Sequence, residues 1–279
     1  MLPEPLFEVF GRGFYMYGLC IALGLLACFW VFCFYTKKKN MHESVQTFAI
    51  IVAVVAIAVG FLFAKLYQAL YNYIEHPELG FNFASAGMTA MGGFIGGAIA
   101  FIALYFGIGH LYFKKEKKGL HIKEFNIVLL VAPLCIVIAH AFGRIGCLMS
   151  GCCHGALLST TEYVSGGIWM RASDTGIWGF YVPTQLYEAL FLFVLFAVLS
   201  VLYFKRSNII MQLYLIAYGV WRIIIEVFRD DARGAVVLGL APSQWQSIIF
   251  IAGGLIMLLV YYLMKKPFVL PKEEKKDKD

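Results

Sequence analysis

An all-α, polytopic membrane protein is the fold class that this sequence predicts, on three observations. Of the 279 residues, 61% are hydrophobic and only 14% charged. A soluble domain is nearer to about 45–50% apolar and roughly 25% charged, so lipid must cover much of the surface. The apolar residues fall in about seven runs: 14–35, 45–71, 88–108, 125–146, 185–204, 209–228 and 244–264. Each is close to the roughly 20 residues that a transmembrane helix needs. The gaps between the runs alternate between Lys-rich and Lys-free, the pattern of a chain threaded back and forth through a bilayer.

The runs are too long for barrel strands and lack their in–out alternation. Lys37, Lys38 and Lys39 follow the first run. Lys114, Lys115, Lys117, Lys118 and Lys123 surround the gap after the third, Lys205 and Arg206 join the fifth to the sixth, and Lys265 and Lys266 open the tail. Residues 72–87 and 147–184 contain no Lys. The positive-inside rule then places the N-terminus outside and the C-terminus in the cytoplasm. The net charge of +6 is spent in these loops, so no nucleic-acid partner is expected. Glu4 and Glu8, without a basic leader, argue against a cleavable signal peptide. The reading is one transmembrane domain, 1–270. Residues 147–184 form an outer-face lobe at the headgroup level, with Trp169 and Trp178. Residues 271–279 are a charged, disordered cytoplasmic tail.

Ionisable residues within spans are expensive and tend to be functional. This chain has Lys65 late in the second run, His140 and Arg144 late in the fourth, Glu188 early in the fifth, and Arg222, Glu226 and Arg229 late in the sixth. By the topology above, all lie in the outer half of the membrane and can converge on one outward-opening polar cavity. Arg222, Glu226 and Arg229 fall at i, i+4 and i+7, on one helix face. An intrahelical ion pair accounts for Arg222 and Glu226 but leaves further guanidinium charge. Arg binds phosphate bidentately, so a phospholipid headgroup is the expected anion.

The densest motif is Gly143-Arg144-Ile145-Gly146-Cys147-Leu148-Met149-Ser150-Gly151-Cys152-Cys153-His154-Gly155. Its glycines are expected to turn the backbone out of the helix and let it approach a ligand. Cys147, Cys152 and Cys153 leave three readings open: a metal site, a disulfide, or small packing residues. Their spacing matches no zinc pattern, so packing is the reading adopted, and neither metal nor cofactor is expected. His154 is a candidate base or an interfacial hydrogen-bonding residue.

Several segments in order resemble the prolipoprotein diacylglyceryl transferase family. They are Met16-Tyr17-Gly18-Leu19; Gly143-Arg144-Ile145-Gly146; Pro183-Thr184-Gln185-Leu186-Tyr187-Glu188; Tyr218-Gly219-Val220-Trp221-Arg222 with Glu226 and Phe228-Arg229; and Gln244 with Ser247. Lys65 stands where the family has Arg. There are departures: Met91 replaces the His of a Phe-His-Gly-Gly segment, Cys147 replaces an Asn, and Ser150-Gly151-Cys152 replaces Asn-Gly-Glu.

The resemblance implies a multi-pass protein of the bacterial inner or plasma membrane. It would transfer diacylglycerol from phosphatidylglycerol to the lipobox cysteine of a prolipoprotein. Arg144 and Arg222 would hold the lipid phosphate, Glu226 would orient Arg222, and Tyr17 would hydrogen-bond lipid or peptide. His140 or His154 would substitute for the absent imidazole. Lys65, Gly146, Cys147, Gly151, Gln185, Tyr187, Glu188, Arg229 and Gln244 would contact substrate. The alternatives are a paralogue with a different acceptor and a non-catalytic phospholipid binder or transporter.

Overall fold

The computed structural model describes residues 5–9, 12–114, 117–229 and 242–264. The 271–279 tail, Lys115, Lys265 and Lys266 lie outside the described residues. The elements in chain order are β1 (Phe7–Val9), β2 (Arg12–Phe14), α1 (Met16–Lys38), α2 (Glu43–Glu75), a 3-10 turn (Pro77–Leu79), α3 (Ala90–Tyr112) and α4 (Leu120–Ser150). They continue with β3 (Leu157–Ser159), β4 (Ile168–Arg171), β5 (Trp178–Tyr181), α5 (Thr184–Phe204), α6 (Ile210–Glu226) and α7 (Pro242–Met264). Among the described residues, six of these helices are long and apolar enough to cross a membrane. The other, α6, has 17 residues. The chain is thus the expected all-α polytopic protein. It divides into two compact units, residues 36–127 and residues 1–35 with 128–279.

The first unit is built on α2 and α3. In lipid there is little hydrophobic drive between helices, so close packing through small residues must hold them. A Cβ added at Gly92 would lie 2.5 Å from Tyr67 Cβ, and one at Gly96 would lie 2.3 Å from Phe63 Cβ. The glycine face of α3 therefore receives the aromatic side chains of α2. His42 caps α2, its Nδ1 accepting from the Ser44 amide at 3.1 Å. Lys65 Nζ stands 5.2 Å from the centre of the Phe83 ring, and Met91 lies in the first turn of α3. Both belong to this unit.

The second unit combines α1 with α4–α7 and the lobe. Gly24 brings α1 closely against α4: an added Cβ would meet Phe142 Cβ at 3.0 Å. At the other end of α1, Tyr35 donates to Ser200 Oγ at 2.8 Å, and Tyr203 donates to the Tyr35 carbonyl at 2.5 Å. The lobe is a three-stranded antiparallel sheet in the order β3-β5-β4. It closes over Leu148, Met170, Ala172 and Tyr181.

One local expectation needs correction. The glycines at 143 and 146 do not turn the chain out of the membrane, since α4 continues through both to Ser150. Gly146 serves close packing instead, with an added Cβ 3.0 Å from Tyr17 Cδ2. The turn comes at Gly151, which has φ 71° and lies so near the lobe that an added Cβ would be 2.0 Å from the Arg171 carbonyl oxygen. Gly151→Ala is therefore expected to destabilise the protein by more than the about 1–2 kcal/mol of a left-handed backbone alone. The midpoint of thermal aggregation in detergent measures this, and an unchanged midpoint would contradict the close approach.

Candidate functional site

Three helices of the second unit each turn one face to the site. On α4, His140 and Arg144 are four residues apart and share a face. On α6, Tyr218, Arg222 and Glu226 do the same over two turns. On α5, Gln185, Glu188, Ala189 and Leu192 form the buried stripe. Their meeting point is the Glu188 carboxylate, whose side chain is 0% exposed.

Arg144 Nε lies 2.9 Å from Glu188 Oε2, and Arg222 Nη1 lies 3.7 Å from the same oxygen. Tyr218 donates its hydroxyl to Glu188 Oε1 at 3.1 Å. His140 Nε2 is 3.7 Å from Oε1, its ring edge-on to Tyr218 at 5.2 Å. Glu226 Oε2 holds Arg222 Nη2 at 3.1 Å. Burying charge is tolerated only when it is paired. Here two guanidinium groups face two carboxylates.

The pairing is incomplete in hydrogen-bond terms. The Arg144 Nε–Glu188 Oε2 contact is short, yet neither atom forms an aligned hydrogen bond. The attraction between them is Coulombic. Arg222 Nη1 is buried and has no hydrogen-bond acceptor among the described residues, and its 3.7 Å distance from Glu188 is too long for one. A buried donor left unpaired costs roughly 1–3 kcal/mol. Such a donor beside a second guanidinium is well suited to an incoming anionic oxygen.

Tyr17, in the first turn of α1, is 43% exposed. It lines a largely apolar groove of about 810 Å³ with Leu6, Phe7, Phe14, Ser150 and Cys152. The stacked rings of Phe7 and Phe14, 4.9 Å apart across the β1–β2 hairpin, form one wall. Such a groove suits an acyl chain or a hydrophobic peptide.

His154 is buried in the lobe. Its Nδ1 lies 2.9 Å from the Gly155 carbonyl oxygen and its Nε2 3.1 Å from Asp174 Oδ1. Both ring nitrogens thus lie within hydrogen-bond distance of protein oxygens. Burial pushes the Asp174 carboxyl up, but the hydrogen bonds from His154 and the Thr175 amide outweigh it and hold the group below its ordinary range. Gln185 Nε2 donates to the Cys152 carbonyl at 2.6 Å, and Thr184 Oγ1 to the Cys153 carbonyl at 2.8 Å. Tyr187 donates to the Gly166 carbonyl at 3.3 Å. Gln185 and Tyr187 thereby tie α5 to the lobe. The sulfurs of Cys147, Cys152 and Cys153 all lie within 4.8 Å of one another. Hydrogen bonds from the other two thiols hold Cys153 well below the ordinary thiol range.

The structure thus brings His140, Arg144, Glu188, Arg222 and Glu226 together. Tyr17, Gly146, Cys147 and Gly151 lie at the α1–α4 contact and the turn beyond it. Arg229 lies just beyond α6, its backbone bridging to Gly155, and Gln244 is in the first turn of α7. Lys65 belongs to the other unit. Tyr218 was not among the expected site residues, although its i, i+4 relation to Arg222 was a usable signal. Asp174 carried none, because it meets His154 only through the lobe fold.

Residues 5–260 match the model of the prolipoprotein diacylglyceryl transferase family. The chain belongs to this family. Relatives named phosphatidylglycerol–prolipoprotein diacylglyceryl transferase match it over most of their length. The one from Clostridium tetani is 33% identical over 265 residues, covering 90% of this chain and 94% of its own. One from Clostridium perfringens, carrying the number 2 in its name, is 31% identical, covering 90% and 92%. One from Streptococcus pneumoniae is 31% identical, covering 93% and 94%. Arg144 and Arg222, from two of the motifs quoted above, both approach Glu188 in this structure.

Proposed function

We propose that this protein transfers the diacylglyceryl group of phosphatidylglycerol to the lipobox cysteine of prolipoproteins, in a bacterial plasma membrane. The observation that carries the reading is the buried Arg222 Nη1 without an acceptor, beside Arg144. The lipid phosphate supplies that acceptor. The cysteine sulfur attacks the glycerol carbon, an S–C bond forms, and the C–O bond to phosphate breaks. Glycerol phosphate leaves with the electron pair, and the two guanidinium groups stabilise its charge. Glu226 orients Arg222, Glu188 sets both arginines, and Tyr17 hydrogen-bonds lipid or peptide at the groove. His140, 3.7 Å from Glu188, or His154 takes the thiol proton.

The test is complementation of a strain depleted of its own transferase, with release of labelled glycerol phosphate measured in parallel. Growth and release together support the reading. Neither, in a folded protein, removes it. Headgroup release with no lipobox modification favours a paralogue with another acceptor, which the Met91, Cys147 and Cys152 departures also favour.

The proposed orientation has the N-terminus outside and the loop holding Lys117 and Lys118 in the cytoplasm. An impermeant thiol reagent applied to intact cells should leave Lys118→Cys unlabelled and should label Glu162→Cys. The opposite pattern would put the arginines in the wrong half of the membrane.

A further inference from the structure

We propose that Cys147, Cys152 and Cys153 form a three-thiolate site for a zinc-class cation, whose remaining coordination position takes the acceptor thiol. The second half of this proposal rests on the transferase reading above; the metal site itself does not.

The three sulfurs all lie within 4.8 Å of one another. Three thiolates bound about 2.3 Å from one ion stand roughly 3.8–4.0 Å apart, so a small inward movement completes the set. The convergence is built by the fold. Cys147 comes from the last turn of α4, and Cys152 and Cys153 come from beyond the Gly151 turn. The Cys152 amide donates to the Cys147 carbonyl at 3.1 Å. Ser150 Oγ lies 3.2 Å from Cys152 Sγ. The carbonyls of Cys152 and Cys153 are held by Gln185 and Thr184. Such outer contacts are what orient metal ligands. Cys153 also has φ 63°, a left-handed conformation that a side-chain-bearing residue seldom adopts and that tends to mark functional sites. Soft thiolates select zinc or cuprous ions, and catalytic zinc keeps three protein ligands and one open position.

The site meets a need of the reaction. The transfer requires the acceptor sulfur as thiolate, a deprotonation that the ion would drive in place of the imidazole base named above. A thiol that coordinates such an ion loses its proton outright. The acceptor S–H would give its proton to solvent as the sulfur–metal bond forms. The sulfur would then attack the glycerol carbon as described, with nothing oxidised or reduced. Cys152 and Ser150 line the apolar groove with Tyr17, so an acceptor in the groove comes to the Cys152 edge of the cluster.

The test uses the full-length protein in detergent, reduced and then freed of reductant. It is loaded with Zn2+ for metal analysis, or with Co2+ for spectroscopy. We expect one ion per chain, sulfur-to-cobalt charge-transfer absorption, and a zinc-dependent rise in thermal stability, since an ion bound by the folded state stabilises it. Cys153→Ser and Cys147→Ser, each eluting as a single folded species, should lose all three signals, whereas Cys33→Ser should keep them. A cysteine lipobox peptide should shift the cobalt ligand-field bands, and its serine counterpart should not.

The metal site is overturned if the reduced wild type binds no ion, if two of the three cysteines are recovered as a disulfide, or if both serine variants keep the ion. An unchanged cobalt spectrum with the cysteine peptide overturns the acceptor position. Metal-loaded protein that releases no glycerol phosphate removes the transferase reading but not the metal site. Full transfer by metal-free protein removes the ion's role in catalysis and leaves the transferase reading standing.

Discussion

Glu188→Gln is expected to cost about 3–5 kcal/mol of stability, the range for breaking a buried ion pair by removing one partner. The substitution keeps the shape and removes the charge that faces Arg144 at 2.9 Å and Arg222 at 3.7 Å. Arg222 would keep Glu226, and Arg144 would lose the carboxylate that it faces. Thermal denaturation in detergent, with and without phosphatidylglycerol, measures the loss. Added phosphatidylglycerol should recover part of it, because the lipid phosphate returns a negative charge. The double variant Glu188→Gln/Arg144→Gln should also be more stable than Glu188→Gln alone, since it removes the orphaned charge. A cost below about 1 kcal/mol, the level of an exposed pair, would show that Glu188 does not serve as the counter-ion.

Arg222→Lys is expected to lower diacylglyceryl transfer by about 10–100-fold in a protein that remains folded. Lysine keeps the charge but lacks the planar fork. In this structure one arm of the fork is committed to Glu226 at 3.1 Å, and the other is buried without an acceptor. A single ammonium can serve the carboxylate or the phosphate, so one charge-assisted hydrogen bond worth roughly 1.5–3 kcal/mol is lost. Initial rates of headgroup release measure the effect, and circular dichroism checks the fold. A folded variant with the wild-type rate would make Arg222 a bystander. A variant that does not fold would make its role one of bracing the helices.

The fold was legible because the bilayer imposes it: long apolar runs and alternating Lys leave few arrangements open. The members of the arginine cluster were legible for a related reason, since a charge inside a span must have a cause. Glu188 as the shared counter-ion was less visible. Its burial depends on α4, α5 and α6 meeting, and no spacing within one helix encodes that. The glycines of the Gly143–Gly155 segment misled for a specific reason. A glycine that admits a neighbouring helix and a glycine that permits a positive φ look alike in sequence. Gly146 is the first kind and Gly151 the second. The approach of the three thiols was not legible in their linear spacing, because the Gly151 turn is what brings Cys152 and Cys153 back to Cys147.

The glycine face between α2 and α3 has a consequence for how the chain is made. These helices are neighbours in sequence, and their unit spans only residues 36–127. It can therefore assemble as soon as its second helix leaves the translocation machinery. By contrast, the unit containing α1 is interrupted: Tyr35 on α1 waits for Ser200 and Tyr203 on α5. At about 5–20 residues per second, that wait lasts roughly 10–30 s. Until α4 arrives to meet Gly24, α1 must persist in the bilayer without the other helices of its unit, which its lack of any ionisable group between Tyr17 and Tyr35, other than three cysteines, equips it to do.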